Sequence, residues 1–211
     1  MGEIIVKDGD TVVIKAGMVS VTVPLAVVIE HPKPESKNVW DRDISGELAT
    51  NDNCPSSLKN GWWQRRLDQI TGLTFHHTLS NSPHATAEHY VNKGGGRPSI
   101  PYTIWVSETG EILLCNALTD GCWHDHQGHS NKNLSVGLAG QLHIHRPSEA
   151  QLVAAARVAV WATNHSDMNV TLTTVRGHRD LYPTICPGWA SVKSGRWKPQ
   201  LYNRIEAMLG R

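Results

Sequence analysis

Short apolar runs alternate with segments of helical periodicity from Ile70 to the end of the chain, and this alternation limits the folds open to the sequence. Apolar runs bounded by polar or turn-forming residues predict strands. Such runs cover residues 72–76, 99–107, 112–114, 134–139 and 171–175. Because helical patterns fall between them, the order of elements predicts a mixed α/β fold with helices flanking a central mixed β-sheet.

Helix-start signals lie between the predicted strands. Ser82 followed by Pro83 predicts an N-cap with proline at the first helical position. Ser148 and Gln151 form a capping-box pattern ahead of LVAAARVAVWAT, a helix whose alanine-rich face can lie close on a sheet. A last amphipathic helix is indicated by apolar residues at helical spacing between residues 201 and 208.

The first part of the chain differs in composition. Residues 4–30 are rich in Val and Ile and contain DG and AG turn signals, which predicts about three short strands. A polar, proline-containing segment with little apolar periodicity follows. We therefore predict a β-rich extension at residues 1–35, a linker at residues 36–59 and a main domain at residues 60–211.

Charge and hydropathy exclude several classes of partner. The chain has 20 Lys and Arg residues against 19 Asp and Glu residues, so it lacks the basic excess that holds a nucleic acid. Its longest apolar stretch, residues 18–29, contains a proline and is too short to span a bilayer, and the N-terminus shows no signal peptide. We therefore expect synthesis in the cytosol with reduced cysteines, although a Cys115–Cys122 bridge stays open outside the cell.

Histidines and one cysteine form the groups with the clearest potential for chemistry. Adjacent residues of a strand point to opposite faces, so only one of His76 and His77 can face a shared site. His178 and Cys186 lie eight positions apart in RGHRDLYPTICPGW, where prolines restrict the backbone. Two imidazoles and a thiolate suit zinc, and three protein ligands leave an open position at which water becomes acidic. This pattern indicates a hydrolase.

The segment HDHQGH, residues 124–129, forms another histidine cluster. It is similar to a two-metal hydrolase motif that requires Asp directly before its last histidine, but Gly128 occupies that place. We therefore favour a role for this segment in lining a cleft.

Four motifs together carry a resemblance to a known family. TFHHT (74–78), IPYTIWVSETG (100–110), GHSNKNLSVGL (128–138) and GHRDLYPTICPG (177–188) occur in this order. The set resembles the type-2 N-acetylmuramoyl-L-alanine amidases, which include phage endolysins, cell-wall recycling amidases and animal peptidoglycan recognition proteins. The resemblance covers roughly residues 60–211 and implies the amidase-2 fold, with bacterial peptidoglycan as the partner.

The resemblance implies roles for particular residues. The family's three zinc ligands correspond to His76, His178 and Cys186, and a tyrosine implicated in catalysis in phage members corresponds to Tyr102. Thr184 stands where phage members often have lysine and catalytic animal members have threonine, and its hydroxyl can donate a hydrogen bond to a developing oxyanion.

The resemblance also implies the reaction, which is cleavage of the amide between N-acetylmuramic acid and L-alanine by zinc-activated water. Ala139 follows SVGL where recycling amidases place a glutamate base, which shifts proton transfer toward Tyr102 and the activated water. The residues expected to contact substrate are His77, His124, His126, His129 and Asn131.

Other functions stay open at this stage. Some relatives with this fold have lost a zinc ligand and bind peptidoglycan without cutting it, and a structural zinc site would need a fourth ligand. A cytosolic amidase without a signal peptide resembles an endolysin that reaches the wall after membrane permeabilisation, while a recycling enzyme is the alternative. The N-terminal extension could bind the wall, form a dimer or, as we prefer, add strands that cap the catalytic sheet.

Overall fold

The computed structural model describes residues 38–51, 53–54, 62–93, 96–126 and 128–211, and the backbone of three strands before them. The chain divides into two compact units, Met1–Glu35 and Ser36–Arg211. In the first unit, β1 (Glu3–Lys7), β2 (Thr11–Ala16) and β3 (Val19–Pro24) form an antiparallel sheet in that order. Apart from Glu3, these strands fall within the β-rich stretch predicted at residues 4–30, of which residues 8–10, 17–18 and 25–30 lie outside the described residues.

The second unit is built on a six-stranded sheet. Its strands are β4 (Arg42–Asp43), β6 (Gly72–His77), β7 (Ile104–Val106), β8 (Ile112–Leu114), β10 (Asn133–Leu138) and β11 (Val175–Gly177), and a separate pair is formed by β5 (Trp63–Gln64) and β9 (Asp120–Gly121). The order in the sheet is β11-β6-β10-β7-β8-β4. The pairs β11–β6, β6–β10, β10–β7 and β8–β4 are parallel, whereas β7–β8 is antiparallel. The predicted mixed sheet is therefore confirmed.

Four helices accompany this sheet: α1 (Pro83–Asn92), α2 (Glu149–Asn164), α3 (His178–Leu181) and α4 (Lys198–Met208). The N-caps have the predicted chemistry, since Ser82 Oγ accepts the Ala85 N–H and Ser148 Oγ accepts the Gln151 N–H. None of the helices described is long and apolar enough to cross a membrane.

Gln151 does not complete the predicted capping box. Its side-chain amide instead donates to the carbonyl oxygens of Val106 and Ala139, each at 3.1 Å. Both carbonyls lie at the carboxyl ends of the neighbouring strands β7 and β10. The buried Gln151 amide therefore satisfies two backbone acceptors and anchors α2 to the sheet.

Side-chain alternation along the strands creates two apolar layers. In β7, Ile104 and Val106 pack with the buried face of α2 and with residues of α4, whereas Trp105 packs with Ala87 of α1 on the other side. This is the period-two pattern of a sheet covered on both faces. The sheet is therefore buried between helices.

Part of the segment predicted as a linker, residues 36–59, belongs to the second unit. The Asp41 N–H donates to Ile112 O at 2.8 Å, the Ile44 N–H donates to Leu114 O at 2.9 Å, and Ile44 is fully buried. This packing differs from the linker prediction because long-range backbone hydrogen bonds, which leave no periodic signal in the sequence, hold the segment. Residues 36–37, 52 and 55–59 lie outside the described residues.

The strand predicted at residues 171–175 is displaced toward the C-terminus. Leu172–Thr174 forms a 3-10 turn, and the strand covers Val175–Gly177. The Thr174 hydroxyl accepts the Thr171 N–H and donates to Thr171 O, each at 2.9 Å. These local hydrogen bonds compete with strand pairing, so the strand begins only at Val175.

Cys115 and Cys122, which could pair under oxidising conditions, are both buried free thiols. Burial raises the pKa of Cys122 to about 12 and the pKa of Cys115 still further, so neither thiol ionises near neutral pH. Both cysteines act as small apolar side chains here.

Gly137 is expected to be essential to the packing of the sheet. A Cβ at this position would lie 2.8 Å from the Thr78 methyl carbon and 2.8 Å from the Tyr102 ring. Gly137→Ala should therefore lower the free energy of unfolding by about 1–3 kcal/mol, as overpacked core positions do. Urea denaturation followed by circular dichroism measures this change.

Gly46→Ala is the matched control, because a Cβ there meets no atom within 4 Å. Its free energy of unfolding should stay close to that of the parent. Equal stabilities for the two variants would show that Tyr102 and Thr78 can move away at little cost.

Candidate metal centre

The pleat of β6 directs alternate side chains to different sides of the sheet. Leu73 and Phe75 join the apolar layer that contains α2, which leaves Thr74 and His76 on the opposite side. On β10, Gly137 is paired with His76 in the parallel register. The absence of a side chain at Gly137 allows the Tyr102 ring to pack there, next to His76.

His178 and Cys186 reach the same place from the neighbouring strand. β11 pairs with β6, and His178 is the first residue of α3, directly after that strand. The Arg179 N–H donates to Cys186 O at 2.9 Å, and the Cys186 N–H donates to Thr184 Oγ1 at 3.2 Å. These bonds fold the loop back so that Cys186 lies against the end of β6.

The side chains of His76, His178 and Cys186 present donor atoms that all lie within 4.8 Å of one another. His76 Nδ1 is 3.6 Å from Cys186 Sγ, and the two imidazole rings are 4.7 Å apart at their centroids. Tetrahedral zinc with usual bond lengths separates a nitrogen and a sulfur ligand by roughly 3.6 Å. The group therefore has the donor types and spacing to hold a metal ion.

Burial determines the protonation of this group. It lowers the pKa of His76 to about 4, lowers the pKa of His178 and raises the pKa of Cys186 to about 12. The site in the metal-free chain therefore holds neutral imidazoles and a neutral thiol near pH 7. A metal ion that binds there must displace the thiol proton, since the thiolate is the ligand.

A second group of possible ligands shares His76. It adds His124 and Asp125, whose side chains are 1% and 0% exposed. His76 Nε2 lies 3.1 Å from His124 Nδ1 and 3.4 Å from Asp125 Oδ1. The other nitrogen of His124, Nε2, lies 3.2 Å from Asn133 O. Both ring nitrogens of His124 are therefore engaged inside the protein, behind His76.

Tyr102, the predicted catalytic tyrosine, lies beside the metal-binding group. Its ring centroid is 5.6 Å from that of His76, and the side chain is buried. Burial, with smaller contributions from Tyr90 and Cys186, raises the pKa of Tyr102 well above its ordinary value. The phenol is therefore protonated at neutral pH and can act as a donor.

The remaining predicted substrate residues occupy different surroundings. His77 is buried on the other side of β6, with its ring 5.0 Å from that of His143, and burial lowers its pKa to about 4. His126 is exposed and stacks on Tyr182 at 3.9 Å. His129 is half-buried and Asn131 is exposed, both in the short 3-10 turn His129–Asn131.

Sequence reasoning included Asp125 in the histidine cluster without giving it a role of its own, and it did not single out Thr74. Thr74 Oγ1 donates to Asp125 Oδ2 at 2.6 Å, and Asn133 Nδ2 donates to the same oxygen at 3.2 Å. One signal was available: Thr74 precedes His76 by two positions on a strand, so the two side chains share a face. The loop that contains Asp125 gave no such signal, because its sequence shows no hydrophobic periodicity.

A family model and several solved structures resemble the chain, although no curated protein matches the sequence. The family model described as N-acetylmuramoyl-L-alanine amidase matches residues 66–189. Amidase LysC from Clostridium intestinale URNW has a TM-score of 0.55 at 16% identity, with 72% of this chain and 95% of that chain covered. The endolysine amidase LysCS from the same organism has a TM-score of 0.53 at 16% identity, with coverages of 72% and 93%.

Peptidoglycan recognition protein-LE, solved with tracheal cytotoxin, has a TM-score of 0.57 at 16% identity, with 78% of this chain and 91% of that chain covered. At these identities the structures show a common fold. The family model extends over more than half of the 211 residues, and its span includes β6, β10, β11 and the three clustered donors. The chain therefore belongs to the N-acetylmuramoyl-L-alanine amidase family, as its four motifs indicate.

Proposed function

We propose that the protein is a zinc-dependent peptidoglycan hydrolase that cleaves the amide bond between N-acetylmuramic acid and the L-alanine of the stem peptide. The observation that carries this proposal is the convergence of His76, His178 and Cys186 at the carboxyl ends of parallel strands, in a chain of the amidase family. Ligand sites of open parallel sheets lie at this end.

The donor set favours zinc in a catalytic site. Two imidazoles and a thiolate match the N and S preference of zinc. Among the described residues, no fourth Cys, His or carboxylate joins this group, as a closed structural site would require. A zinc ion held by three protein ligands would polarise the scissile carbonyl and lower the pKa of a water molecule to about 7.

The protein's own groups supply the remaining steps. The protonated phenol of Tyr102 can donate to the leaving nitrogen of L-alanine, since departure of an amine requires a proton. The Thr184 hydroxyl accepts the Cys186 N–H and keeps its own hydrogen for the developing oxyanion. These roles need no carboxylate base at Ala139.

A cavity of about 440 Å³, lined in part by His124 and Asp125, can hold part of a muropeptide. Trp123 at its edge is 45% exposed and stacks with Trp63 at 6.1 Å, which offers apolar rings to a sugar face. Asn131 and His126 line the same cavity and offer hydrogen-bonding groups. We therefore propose that the glycan side of the substrate lies here.

We further propose that the enzyme acts as an endolysin on intact cell walls. The amidase LysCS, whose fold this chain shares, is named an endolysine. A muropeptide-recycling amidase is the alternative, and a wall-binding protein without hydrolytic activity is another.

Cys186→Ser should remove most of the zinc from the purified protein. The parent should hold about one zinc per chain, while a serine hydroxyl stays protonated near neutral pH and is a poor ligand. Elemental analysis of dialysed protein measures the metal, and circular dichroism checks the fold. His145→Gln, an exposed histidine outside both ligand groups, is the control and should keep its zinc. Equal zinc in the parent and in Cys186→Ser would remove Cys186 from the site.

Tyr102→Phe should lower kcat by roughly 10²- to 10⁴-fold, which is the range for loss of a general acid. Zinc content should not change, because the ring and its packing against Gly137 are retained. His145→Gln is the control, because this exposed histidine lies outside both ligand groups and should keep the parent rate. Release of L-alanine amino groups from purified muropeptide measures the rate. A parent-like kcat for Tyr102→Phe would assign the proton to another donor.

Digestion of intact sacculi should release new lactyl carboxylates and free L-alanine amino groups without new reducing ends. An amidase leaves the glycan bonds unbroken, so mass spectrometry of the products distinguishes it from a glycosidase. Soluble muropeptides digested in parallel separate an endolysin from a recycling enzyme, which would leave sacculi intact. Binding to sacculi without any cleavage would instead identify a recognition protein.

A further inference from the structure

The two ring nitrogens of His76 face different groups. Nδ1 lies 3.6 Å from Cys186 Sγ, on the side of the three clustered donors. Nε2 lies 3.1 Å from His124 Nδ1 and 3.4 Å from Asp125 Oδ1, on the buried side. A neutral imidazole carries one hydrogen, so only one of these nitrogens can offer a lone pair to a metal.

The position of that hydrogen follows from the neighbours, starting at Asn133. The carbonyl oxygen of Asn133 can only accept, so His124 Nε2, 3.2 Å away, must carry a hydrogen. His124 Nδ1 lies 3.3 Å from Asp125 Oδ2, an oxygen that already accepts two other hydrogen bonds, and 3.1 Å from His76 Nε2. A hydrogen on His76 Nε2 satisfies this contact, and His76 Nδ1 is then left free of hydrogen.

Asp125 provides a second acceptor for the same hydrogen. Its Oδ2 accepts from Thr74 and Asn133, whereas its Oδ1 is buried and has no hydrogen-bond partner among the described residues. The one nitrogen that faces Oδ1 at 3.4 Å is His76 Nε2. Two acceptors thus converge on one ring nitrogen of His76.

We propose that His124 and Asp125 are positioning residues that hold His76 in the Nε2–H tautomer, so that its Nδ1 lone pair is directed at the metal. This inference rests on the proposed zinc site and adds to it the residues that orient one ligand. Metal-binding histidines generally need such a partner on the second nitrogen, and its loss weakens metal binding about 10- to 100-fold.

Two substitutions at residue 124 separate the two hydrogen bonds of its ring. The side-chain oxygen of asparagine lies near the position of a histidine Nδ1, so His124→Asn can still accept from His76. The amide nitrogen of glutamine lies near the position of Nε2, so His124→Gln keeps the donation to Asn133 O and loses the acceptor for His76. Each variant therefore keeps one of the two hydrogen bonds of the His124 ring and loses the other.

The first measurement concerns the metal-free protein and is independent of zinc. Long-range ¹H–¹⁵N correlation spectra at about pH 8, above the ordinary imidazole pKa, distinguish the two tautomers. The parent and His124→Asn should show His76 with hydrogen on Nε2, and His124→Gln should show a mixture. Hydrogen on Nδ1 of His76 in the parent would overturn the proposal, whether or not the variants fold.

The second measurement is zinc affinity by competition with a chelator. His124→Gln should bind zinc about 10- to 100-fold more weakly than the parent, with His124→Asn close to the parent and His145→Gln as the unaffected control. Parent-like affinity of folded His124→Gln would overturn the positioning role. Loss of zinc from both residue-124 variants would also do so, because it would indicate that His124 is itself a ligand. A parent that binds no zinc would defeat the proposed function, while the tautomer of His76 would still be decided by the spectra.

Discussion

Parallel pairing of β6 with β10 is the interaction on which the site depends. The pairing fixes His76 opposite Gly137, and the period of two then sends Leu73 and Phe75 into the apolar layer with α2. A slip by one residue would exchange the two faces and expose that layer to the polar side. The hydrophobic core therefore sets the register, and the register in turn places the first ligand.

The polar side of the sheet is stabilised by hydrogen bonds between buried polar groups. An isolated carboxylate is costly to bury, but Asp125 accepts from the Thr74 hydroxyl and the Asn133 amide. Buried Arg65 fixes the chain on this side, since its Nη1 donates to Ser130 O at 2.9 Å and to Asn133 O at 2.8 Å. These two bonds hold the end of the loop between β9 and β10 against the strands.

The sequence predicted the strands and helices that show a hydrophobic periodicity, and the site residues that belong to a family motif. The strand Ile112–Leu114 and the start of α1 at Pro83 agree with their predictions, because apolar runs and caps are local signals. The contact between Asp125 and Thr74 spans 51 positions and joins a loop to a strand, so neither residue type nor spacing indicated it. The same reason explains the segment around Ile44, which long-range backbone bonds bring into the sheet.

The metal-binding group has a closed side, formed by buried residues, and an open side. The adjacent residues His76 and His77 at the end of β6 contact different groups around it. His77 turns to the layer of His143 and gives its backbone N–H to Cys186 Sγ at 3.3 Å, which helps the sulfur bear the charge of a thiolate. His76 meets buried acceptors on one side and the other two donors on the opposite side. Half-buried His178 and exposed Tyr182 form the open side, where a substrate can approach. Groups on the closed side therefore fix the donors without occupying the space that the reaction needs, which is the arrangement that preorganised sites require.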